Sequence, residues 1–269
     1  MSLFSQKEVK NLLKNHGIRP SKGLGQNFLI DQKAVKRVID AADLKKDDLV
    51  LEIGPGLGVL TIELAKRAKK VVAVEKDQKI AEILKETLKG LDNIEIIKAD
   101  ILKLDLDLSD YKIVANIPFY LTSFLIRRLL ESEKRPKEII LIIQKEVAQR
   151  ICAKPPKMNL LAVSVQFFAD PMIVSYLSKK SFWPQPDVDG AIIKIKPKTK
   201  TTESTDLFFK VVKAGFSQPR KQLINNLSKG LKLEREKVKE WLLKNKIQPE
   251  QRAESLTLKD WINLTLTKE

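Results

Sequence analysis

The sequence contains very few of the residues on which thiol, metal and histidine chemistry depends. Among its 269 residues there is one cysteine, Cys152, and one histidine, His16. A single cysteine excludes an internal disulfide and leaves no thiolate cluster for zinc. A single histidine leaves catalytic triads, HExxH metal sites and paired histidine acid–base catalysis essentially unavailable. We therefore expect no metal, and any catalysis has to proceed without a histidine base.

Long apolar runs are also missing. No uninterrupted apolar stretch approaches the roughly 18–20 residues that a membrane span requires. The N-terminus has Lys7, Lys10 and Lys14 where a secretory signal would have an apolar segment. We therefore expect a cytoplasmic protein without a membrane partner.

The charge is unbalanced. The chain has 50 Lys and Arg residues against 34 Asp and Glu residues, which gives a formal net charge of +16. Such a charge raises the local concentration of polyanions and favours phosphate-rich partners. A lysine-rich surface that only improves solubility is the alternative, and charge alone does not decide between them.

Residues 49–143 alternate short apolar runs with segments of helical periodicity. This alternation predicts a parallel sheet with helices on both faces. Two later apolar runs flank a proline-rich loop and could pair antiparallel at one edge of the sheet. The predicted strands are 49–53, 70–75, 93–100, 112–116, 138–144, 172–177 and 191–197, and helices are predicted at 59–69 and 77–89. The fold class is therefore α/β, with a mostly parallel seven-stranded sheet.

The composition changes near residue 200. The segment 194–203, KIKPKTKTTE, has four lysines and no apolar core signal after Ile195, and residues 206–269 contain only helical patterns. We predict a large α/β domain with a basic N-terminal segment over residues 1–200. A small helical domain is predicted over residues 201–269.

A glycine-rich turn follows the first predicted strand. The segment LEIGPGLG places Gly54, Gly56 and Gly58 where glycine permits a tight turn and close approach of the backbone to a ligand. The third glycine comes one position too early for a dinucleotide-binding loop, and no Gly-Lys-Ser/Thr follows, which excludes a P-loop. Alone, this turn is a weak indication of a site.

Polar side chains end the next three predicted strands. Glu75, 21 residues after Gly54, can bond both hydroxyls of a ribose, and Asp100 can accept from the amino group of an adenine. Asn116 ends the fourth strand. The alternative is that Asp100 is a turn residue and Glu75 a helix cap. The pattern resembles the class I, Rossmann-like methyltransferases that use S-adenosyl-L-methionine, where the two acids take the ribose and the adenine.

The fourth strand continues into Asn116, Ile117, Pro118 and Phe119. Adenine N6 is a poor nucleophile because its lone pair is delocalised into the ring. The Asn116 amide oxygen and the Ile117 carbonyl could accept its two hydrogens and expose the lone pair, while Pro118 restricts Ile117 to extended geometry. Phe119 offers a face on which the base can stack. The alternative is an ordinary strand end followed by core residues.

Several motifs together resemble the KsgA-like small-subunit ribosomal RNA adenine dimethyltransferases. They are SKGLGQNFLID, LEIGPGLGVLT, VEKD, NIPFYLTS, FWPQPDVDGA and FSQPRKQLINNL, which extend from about residue 21 to 230. The resemblance implies dimethylation of N6 of two adjacent adenosines in a hairpin loop near the 3′ end of 16S rRNA, with S-adenosyl-L-methionine as cofactor. The implied partner is the small ribosomal subunit, and we expect a monomer.

The resemblance also implies site residues. Phe182 would face the target base opposite Phe119, and Arg220 and Lys221 would contact RNA. The chain departs from the family in having Phe119 for the commoner tyrosine and Pro219 for a basic residue. The cofactor contacts would be Asn27, Leu29, Gly54, Gly56, Glu75, Asp100 and Asn116, and further candidates for RNA contact are Lys7, Lys10, Lys14, Arg19 and Lys22.

Three other functions share part of the pattern. Resistance methyltransferases that modify an adenine in large-subunit RNA have the same glycine turn and strand-end motif, but the tail QPRKQLINNL favours the small-subunit enzymes. A non-catalytic RNA-binding assembly or transcription factor would be expected to lose site residues that are present here. A small-molecule methyltransferase does not account for the +16 charge.

Overall fold

The computed structural model describes residues 2–21, 23, 25–105, 107–118, 121–199 and 205–268. Three of the sequence predictions lie outside these residues: the stacking ring of Phe119, the basic residue Lys22 and the domain boundary at 200/201. The chain divides into two compact units. The first comprises Met1–Ala148 and Pro171–Pro197, and the second comprises Gln149–Asp170 and Lys198–Glu269.

A seven-stranded sheet forms the centre of the first unit. Its strands are β2 (Leu49–Ile53), β3 (Lys70–Glu75), β4 (Ile94–Lys98), β5 (Tyr111–Asn116), β6 (Glu138–Gln144), β7 (Ala169–Leu177) and β9 (Gly190–Pro197). They lie in the order β4-β3-β2-β5-β6-β9-β7. The first five are joined by parallel pairing, and β9 pairs antiparallel with β6. This confirms the predicted mostly parallel sheet of seven strands.

Helices pack on this sheet through apolar faces. Asp31 is the N-cap of α2 and Asp77 is the N-cap of α4, and each side chain accepts hydrogen bonds from two backbone N–H groups of the first turn. Helix α3 is shorter than predicted, since Asn93 Nδ2 donates to the carbonyl of Ala65, where the helix ends, at 2.9 Å. The helices of this unit are α1 (Gln6–Asn15), α2 (Gln32–Ala42), α3 (Val59–Ala65), α4 (Gln78–Thr87) and α5 (Thr122–Glu131), and α6 (Lys145–Ile151) begins here and ends in the second unit.

A second, two-stranded sheet joins distant parts of the first unit. Strand β1 (Phe28–Leu29) pairs antiparallel with β8 (Phe182–Trp183). Ser181 Oγ donates to Asp31 Oδ2 at 2.8 Å beside this pair. The sequence did not predict the pairing, because strands of two residues are too short to show an alternating pattern. It fixes the N-terminal segment to the rest of the unit.

The second unit is helical, and it begins earlier in the chain than predicted. The sequence placed 149–170 in the first domain, whereas they belong to the second unit. The physical reason is the apolar helix α7, where the Phe167 ring stacks on that of Phe208 at 4.0 Å between centroids. The helices of this unit are α7 (Leu160–Phe168), α8 (Thr205–Gly215), α9 (Leu223–Leu231), α10 (Arg235–Lys244) and α11 (Leu258–Leu266).

A buried ion pair fastens α2 to the sheet. Lys112, on β5, contacts Asp48 Oδ2 at 2.9 Å, and the two side chains are only 10% and 7% exposed. The same ammonium donates to the carbonyls of Ala42 and Asp43 at the C-terminal end of α2. A cation there also complements the negative end of the helix dipole. Lys112 therefore supplies the cation for Asp48 and donates to two carbonyls at the end of α2.

We expect Lys112→Met to lower the free energy of unfolding by about 3 kcal/mol, because it leaves the buried Asp48 carboxylate without its cation. Urea unfolding measures the change. The double variant Asp48→Asn/Lys112→Met should recover part of the loss, since the amide carries no charge and can still accept from Lys45 N. Lys36→Met removes an exposed pair with Asp40 and serves as control, with a change below about 1 kcal/mol. Equal losses for Lys112→Met and Lys36→Met would contradict the assignment.

Candidate active site

A pocket opens at the carboxyl ends of the parallel strands in the first unit. The glycine turn after β2, the ends of β3, β4 and β5, and the N-terminal segment all contribute to its wall. Such a crevice is where open α/β sheets bind ligands. Of the residues predicted from the sequence, the pocket brings together Asn27, Leu29, Gly54, Gly56, Glu75, Asp100, Asn116 and Pro118.

The glycine turn requires glycine for two reasons. Gly54, Gly56 and Gly58 have φ of 68°, 58° and 91°, in the left-handed region that L side chains rarely adopt. A Cβ atom on Gly56 would lie 3.3 Å from the ring of Phe28, and one on Gly58 would lie 3.0 Å from Leu84. The turn therefore lets the N-terminal segment approach on one side and α4 on the other.

Glu75 is the buried carboxylate at the end of β3. It is 8% exposed, and its oxygens accept from Asp77 N at 2.8 Å and from Gly56 N at 3.3 Å. Burial raises the pKa of this carboxyl, and the two backbone donors act in the opposite direction. A carboxylate has about four acceptor sites, so further lone pairs remain for hydroxyl groups of a ligand.

The N-terminal segment is tied to this carboxylate through Gln26 and Asp77. Gln26 Nε2 donates to Asp77 Oδ2 at 2.8 Å, and Gln26 Oε1 accepts from Ser21 N at 2.7 Å. The other oxygen, Asp77 Oδ1, caps α4 by accepting hydrogen bonds from the backbone N–H groups of Lys79 and Ile80. Both residues line the pocket. Sequence reasoning missed them, since Gln26 has no strand or glycine signal of its own.

Asn116 has a fixed orientation at the rim of the pocket. Its Nδ2 atom donates to the carbonyl of Asn27 at 3.1 Å. Because this bond uses the nitrogen end of the amide, the oxygen end points away from Asn27 and can accept from a ligand. Ile117 is 2% exposed, and the carbonyl of Pro118 accepts from Leu121 N at 3.0 Å just before α5 begins.

Asp100 is held at both of its oxygens. Oδ1 accepts from Leu102 N at 3.0 Å, and Oδ2 lies 2.9 Å from the Lys76 ammonium. The Lys76 ammonium, followed by the backbone N–H of Leu102, lowers the pKa of this carboxyl. Lys76 lines the pocket as well. The sequence pattern indicated Asp100 but gave no signal for its partner.

Glu52 is a second buried carboxyl in the pocket, and sequence reasoning missed it. It is 1% exposed, and its Oε2 atom has no hydrogen-bond partner among the described residues. Burial, together with the negative charge of Glu75, raises the pKa of Glu52 to about 8, while the nearby Thr61 hydroxyl opposes the shift without meeting hydrogen-bond geometry. An acid inside the apolar strand LVLEI was the available signal.

The pocket is acidic although the protein is basic. Four of the described residues that line it are acids, Glu52, Glu75, Asp77 and Asp100, and Lys76 is the one basic residue among them. The whole chain has a formal charge of +16. The raised pKa of Glu52 keeps that carboxyl mainly neutral near pH 7, so the charge of the pocket comes from Glu75, Asp77 and Asp100 against Lys76. This net negative charge favours a small ligand with positive charge, and polyanions have to bind elsewhere on the surface.

Phe182 is buried beside the β1–β8 pairing. Its side chain is 3% exposed and packs in the core with Leu29, Ile142 and Ile192. Its role opposite Phe119 against the target base stays a prediction. The next residue, Trp183, is partly exposed, and Lys10 Nζ lies 5.6 Å from its ring centroid.

Arg220 and Lys221 lie in the second unit. Both are exposed, in the loop between α8 and α9. The buried side chain of Asn226 holds this loop, since its Nδ2 atom donates to the carbonyls of Gly215 and Gln218 at 2.7 and 2.9 Å. The loop thus presents one guanidinium group and one ammonium group on a backbone that Asn226 holds in place.

Two kinds of site are absent from the part of the chain that the structure describes. No group of three or more His, Cys, Asp and Glu side chains there is arranged to hold a metal ion. In the same residues, no helix is both long enough and apolar enough to span a membrane.

Comparisons with known proteins agree on one family. Residues 18–268 match the family described as ribosomal RNA adenine dimethylase. The protein named ribosomal RNA small subunit methyltransferase A of Dehalococcoides mccartyi is 42% identical over 98% of this chain and 93% of its own length. Its namesake of Alkaliphilus metalliredigens is 40% identical over 99% of this chain and 97% of its own length. These matches confirm the resemblance seen in the sequence.

Two solved structures share the fold. A dimethyladenosine transferase from Plasmodium falciparum superposes with a TM-score of 0.77 at 29% identity, over 88% of this chain and 96% of its own. The 23S rRNA methyltransferase ErmE superposes with a TM-score of 0.76 at 27% identity, over 90% of this chain and 99% of its own. Both agree with the predicted methyltransferase fold.

We expect Glu52→Gln to change how stability depends on pH. The folded state keeps a proton on Glu52 up to a pKa of about 8, whereas the unfolded chain releases it near 4.5, so rising pH favours unfolding across that window. The stability of the variant relative to the natural chain should therefore rise by about 1.4 kcal/mol per pH unit between these values. Urea unfolding at pH 5, 6, 7 and 8, without ligand, measures it.

Glu95→Gln is the matched control, because Glu95 is an exposed acid on β4. It pairs with the exposed Lys70 ammonium at 2.6 Å, and such surface pairs contribute little to stability, so this difference should stay small between pH 5 and 8. A constant difference for Glu52→Gln as well would show that Glu52 titrates normally.

Proposed function

The chain belongs to the ribosomal RNA adenine dimethylase family, and from this premise we propose the following reaction. The enzyme uses S-adenosyl-L-methionine to dimethylate N6 of two adjacent adenosines in a hairpin loop near the 3′ end of small-subunit (16S) rRNA. The names of the relatives support the small subunit as substrate. The observation that carries the chemistry is an acidic pocket with the oriented amide of Asn116 at its rim.

The residues of the pocket fit S-adenosyl-L-methionine. Its sulfonium, which supplies an electrophilic methyl group when bound, suits a pocket whose wall carries the carboxylates of Glu75, Asp77 and Asp100. The turn from Gly54 to Gly58 allows close approach of the backbone. Glu75 has acceptor sites left for ribose hydroxyls, and Asp100 is a fixed acceptor at the end of the neighbouring strand. We assign these groups to the cofactor on that basis.

Asn116 would activate the target amine. Its oxygen end, directed away from Asn27, can accept one N6 hydrogen, and this favours a pyramidal amine with an exposed lone pair. An amide does this without adding charge and without removing the proton before methyl transfer. The Ile117 carbonyl would accept the second hydrogen, and Pro118 keeps Ile117 extended. Stacking on Phe119 stays a prediction.

No histidine is needed for this reaction, which agrees with the single His16 of the chain. The N6 amine becomes more acidic as its bond to the methyl group forms, so its proton can leave to solvent late in the reaction. A cytoplasmic location and a monomeric state are part of the same proposal, as expectations from the sequence.

The second unit would select the RNA. One adenosine in a pocket cannot identify a site within a ribosomal subunit, so contacts with the RNA backbone and shape have to contribute. Arg220 and Lys221 are exposed on a loop whose backbone is fixed by Asn226. Arginine and lysine in such a position can each pair with a phosphate.

A second candidate is methylation of large-subunit RNA, which the structural similarity to the 23S rRNA methyltransferase favours. One experiment separates the two. Undermethylated small subunits and large subunits are each incubated with the enzyme and labelled S-adenosyl-L-methionine, and the modified nucleotide is mapped. Label in two adjacent adenosines of the small-subunit RNA is expected. Label confined to the large subunit would favour the second candidate.

We expect Asn116→Ala to reduce methyl transfer to small subunits by at least about 100-fold, as when a preorganised hydrogen-bonding group is removed from an active site. Far-UV circular dichroism should not change, because the amide lies at a strand end. Asn11→Ala, which removes an exposed amide from α1, is the control and should keep full activity. Near-normal dimethylation by Asn116→Ala would refute the proposed activation of N6.

We expect Arg220→Ala/Lys221→Ala to weaken binding to small subunits and to flatten its salt dependence by up to about two phosphate contacts. Affinity for S-adenosyl-L-methionine should not change. Filter binding across a salt series measures the slope. Lys237→Ala/Lys239→Ala removes two charges from α10 of the same unit and should leave the slope alone. If both double variants gave the same slope, the loop would not be an RNA contact.

A further inference from the structure

Lys76 is unusual among the charged side chains of the pocket. The other four in the described part of the wall are acids. The lysine follows directly after Glu75 at the end of β3, and its side chain is 55% exposed. Its ammonium reaches across to Asp100, beyond the end of the neighbouring strand β4, at 2.9 Å. The pair therefore lies on the wall and involves a residue assigned above to the cofactor.

The contacts of Asp100 restrict its carboxylate. Leu102 N holds one oxygen at 3.0 Å and Lys76 holds the other. A carboxylate bound at both ends cannot rotate without breaking one of these bonds. Each carboxylate oxygen has two acceptor positions, so Oδ2 can still accept from a ligand after it has bound the ammonium. The ion pair thus leaves an acceptor whose direction is set.

We propose that Lys76 is a positioning residue that makes the pocket selective for a purine with an exocyclic amine. Its ammonium fixes Asp100 Oδ2 as the acceptor for that amine. The proposal rests on the proposed function, because the amine is that of the adenine in S-adenosyl-L-methionine. It adds a residue to the site and names the discrimination for which that residue is responsible.

The chemistry of Asp100 explains the selectivity. An ionised carboxylate accepts hydrogen bonds and donates none. The 6-amino group of adenine can donate to it, whereas the 6-oxo group of hypoxanthine would place oxygen against oxygen. A site built around a fixed hydrogen-bonding group rejects an analogue that lacks the matching group. A carboxylate free to rotate could turn away from the oxo group, and the discrimination would fall.

An ordinary surface ion pair is the alternative, since exposed pairs contribute little to stability. The two explanations predict different binding. A pair that only supports the fold would change the affinity for both purines alike. A positioning pair changes the ratio between them.

Isothermal calorimetry with two stable ligands tests this. They are S-adenosylhomocysteine and its 6-oxo counterpart, S-inosylhomocysteine. We expect the natural chain to bind the adenine form at least about 30-fold more tightly, the size of effect found for a hydrogen bond to a charged group. Lys76→Met, which keeps most of the stem and removes the ammonium, should reduce this ratio by about five- to tenfold, because a carboxylate that can rotate binds the amine less well and can turn away from the oxo group.

Two further variants complete the test. Lys76→Arg keeps a cation within reach of Asp100 and should preserve the preference to within about twofold. Lys79→Met removes an exposed lysine from the first turn of α4 and should leave both affinities unchanged.

The outcomes separate the inference from the function on which it rests. An unaltered ratio in Lys76→Met, or equal losses for both ligands, would overturn the role of Lys76 while the cofactor assignment stands. A natural chain that binds S-adenosylhomocysteine but does not discriminate would also overturn it. A natural chain that binds neither ligand would refute the proposed cofactor, and the inference with it.

Discussion

The candidate site depends on one buried carboxylate. Glu75 accepts hydrogen bonds from the backbone N–H groups of Gly56 and Asp77. The Asp77 side chain in turn caps α4 and accepts a hydrogen bond from the Gln26 amide. A buried charge is tolerated only where hydrogen bonds replace its hydration, so these donors have to stay in place. Through this one group the glycine turn, β3, α4 and the N-terminal segment take up a single arrangement. The remaining pocket residues are positioned on that frame.

Charge is distributed so that the two proposed ligands do not compete. The pocket gathers acids in a chain of net charge +16, so a cationic cofactor and a polyanionic substrate meet opposite local fields. Arg220 and Lys221 lie on an exposed loop of the second unit, outside the pocket wall. Raised salt should therefore act mainly on RNA binding, because exposed phosphate contacts are screened far more than a partly enclosed site.

Strands and strand-end residues were predictable from the sequence, whereas contacts between distant segments were not. Apolar runs set the strands, and parallel strands bring their carboxyl ends to one edge, so Glu75, Asp100 and Asn116 meet in one pocket. The burial of Phe182 was not predictable, because its environment depends on a two-residue strand pairing that leaves no periodic signal. The segment 149–170 was placed in the first domain, because the sequence of an apolar helix does not indicate which of two cores it packs into. The roles of Lys76 and Glu52 were not predictable, because they depend on Asp100 and Glu75, which come from other strands.

The pairing of β1 with β8 also has a consequence for how the protein is made. Synthesis is vectorial, and the partner of Phe28 is Trp183, which is synthesised about 150 residues later. Between them the chain also produces Gln149–Asp170, which belongs to the other unit. Before β8 emerges, Phe28 can pack only on segments made earlier than β8, such as those that carry Leu57 and Ile80. Because the last third of the chain follows β8, the pairing that holds Phe28 and Leu29 in the pocket wall can form before synthesis ends.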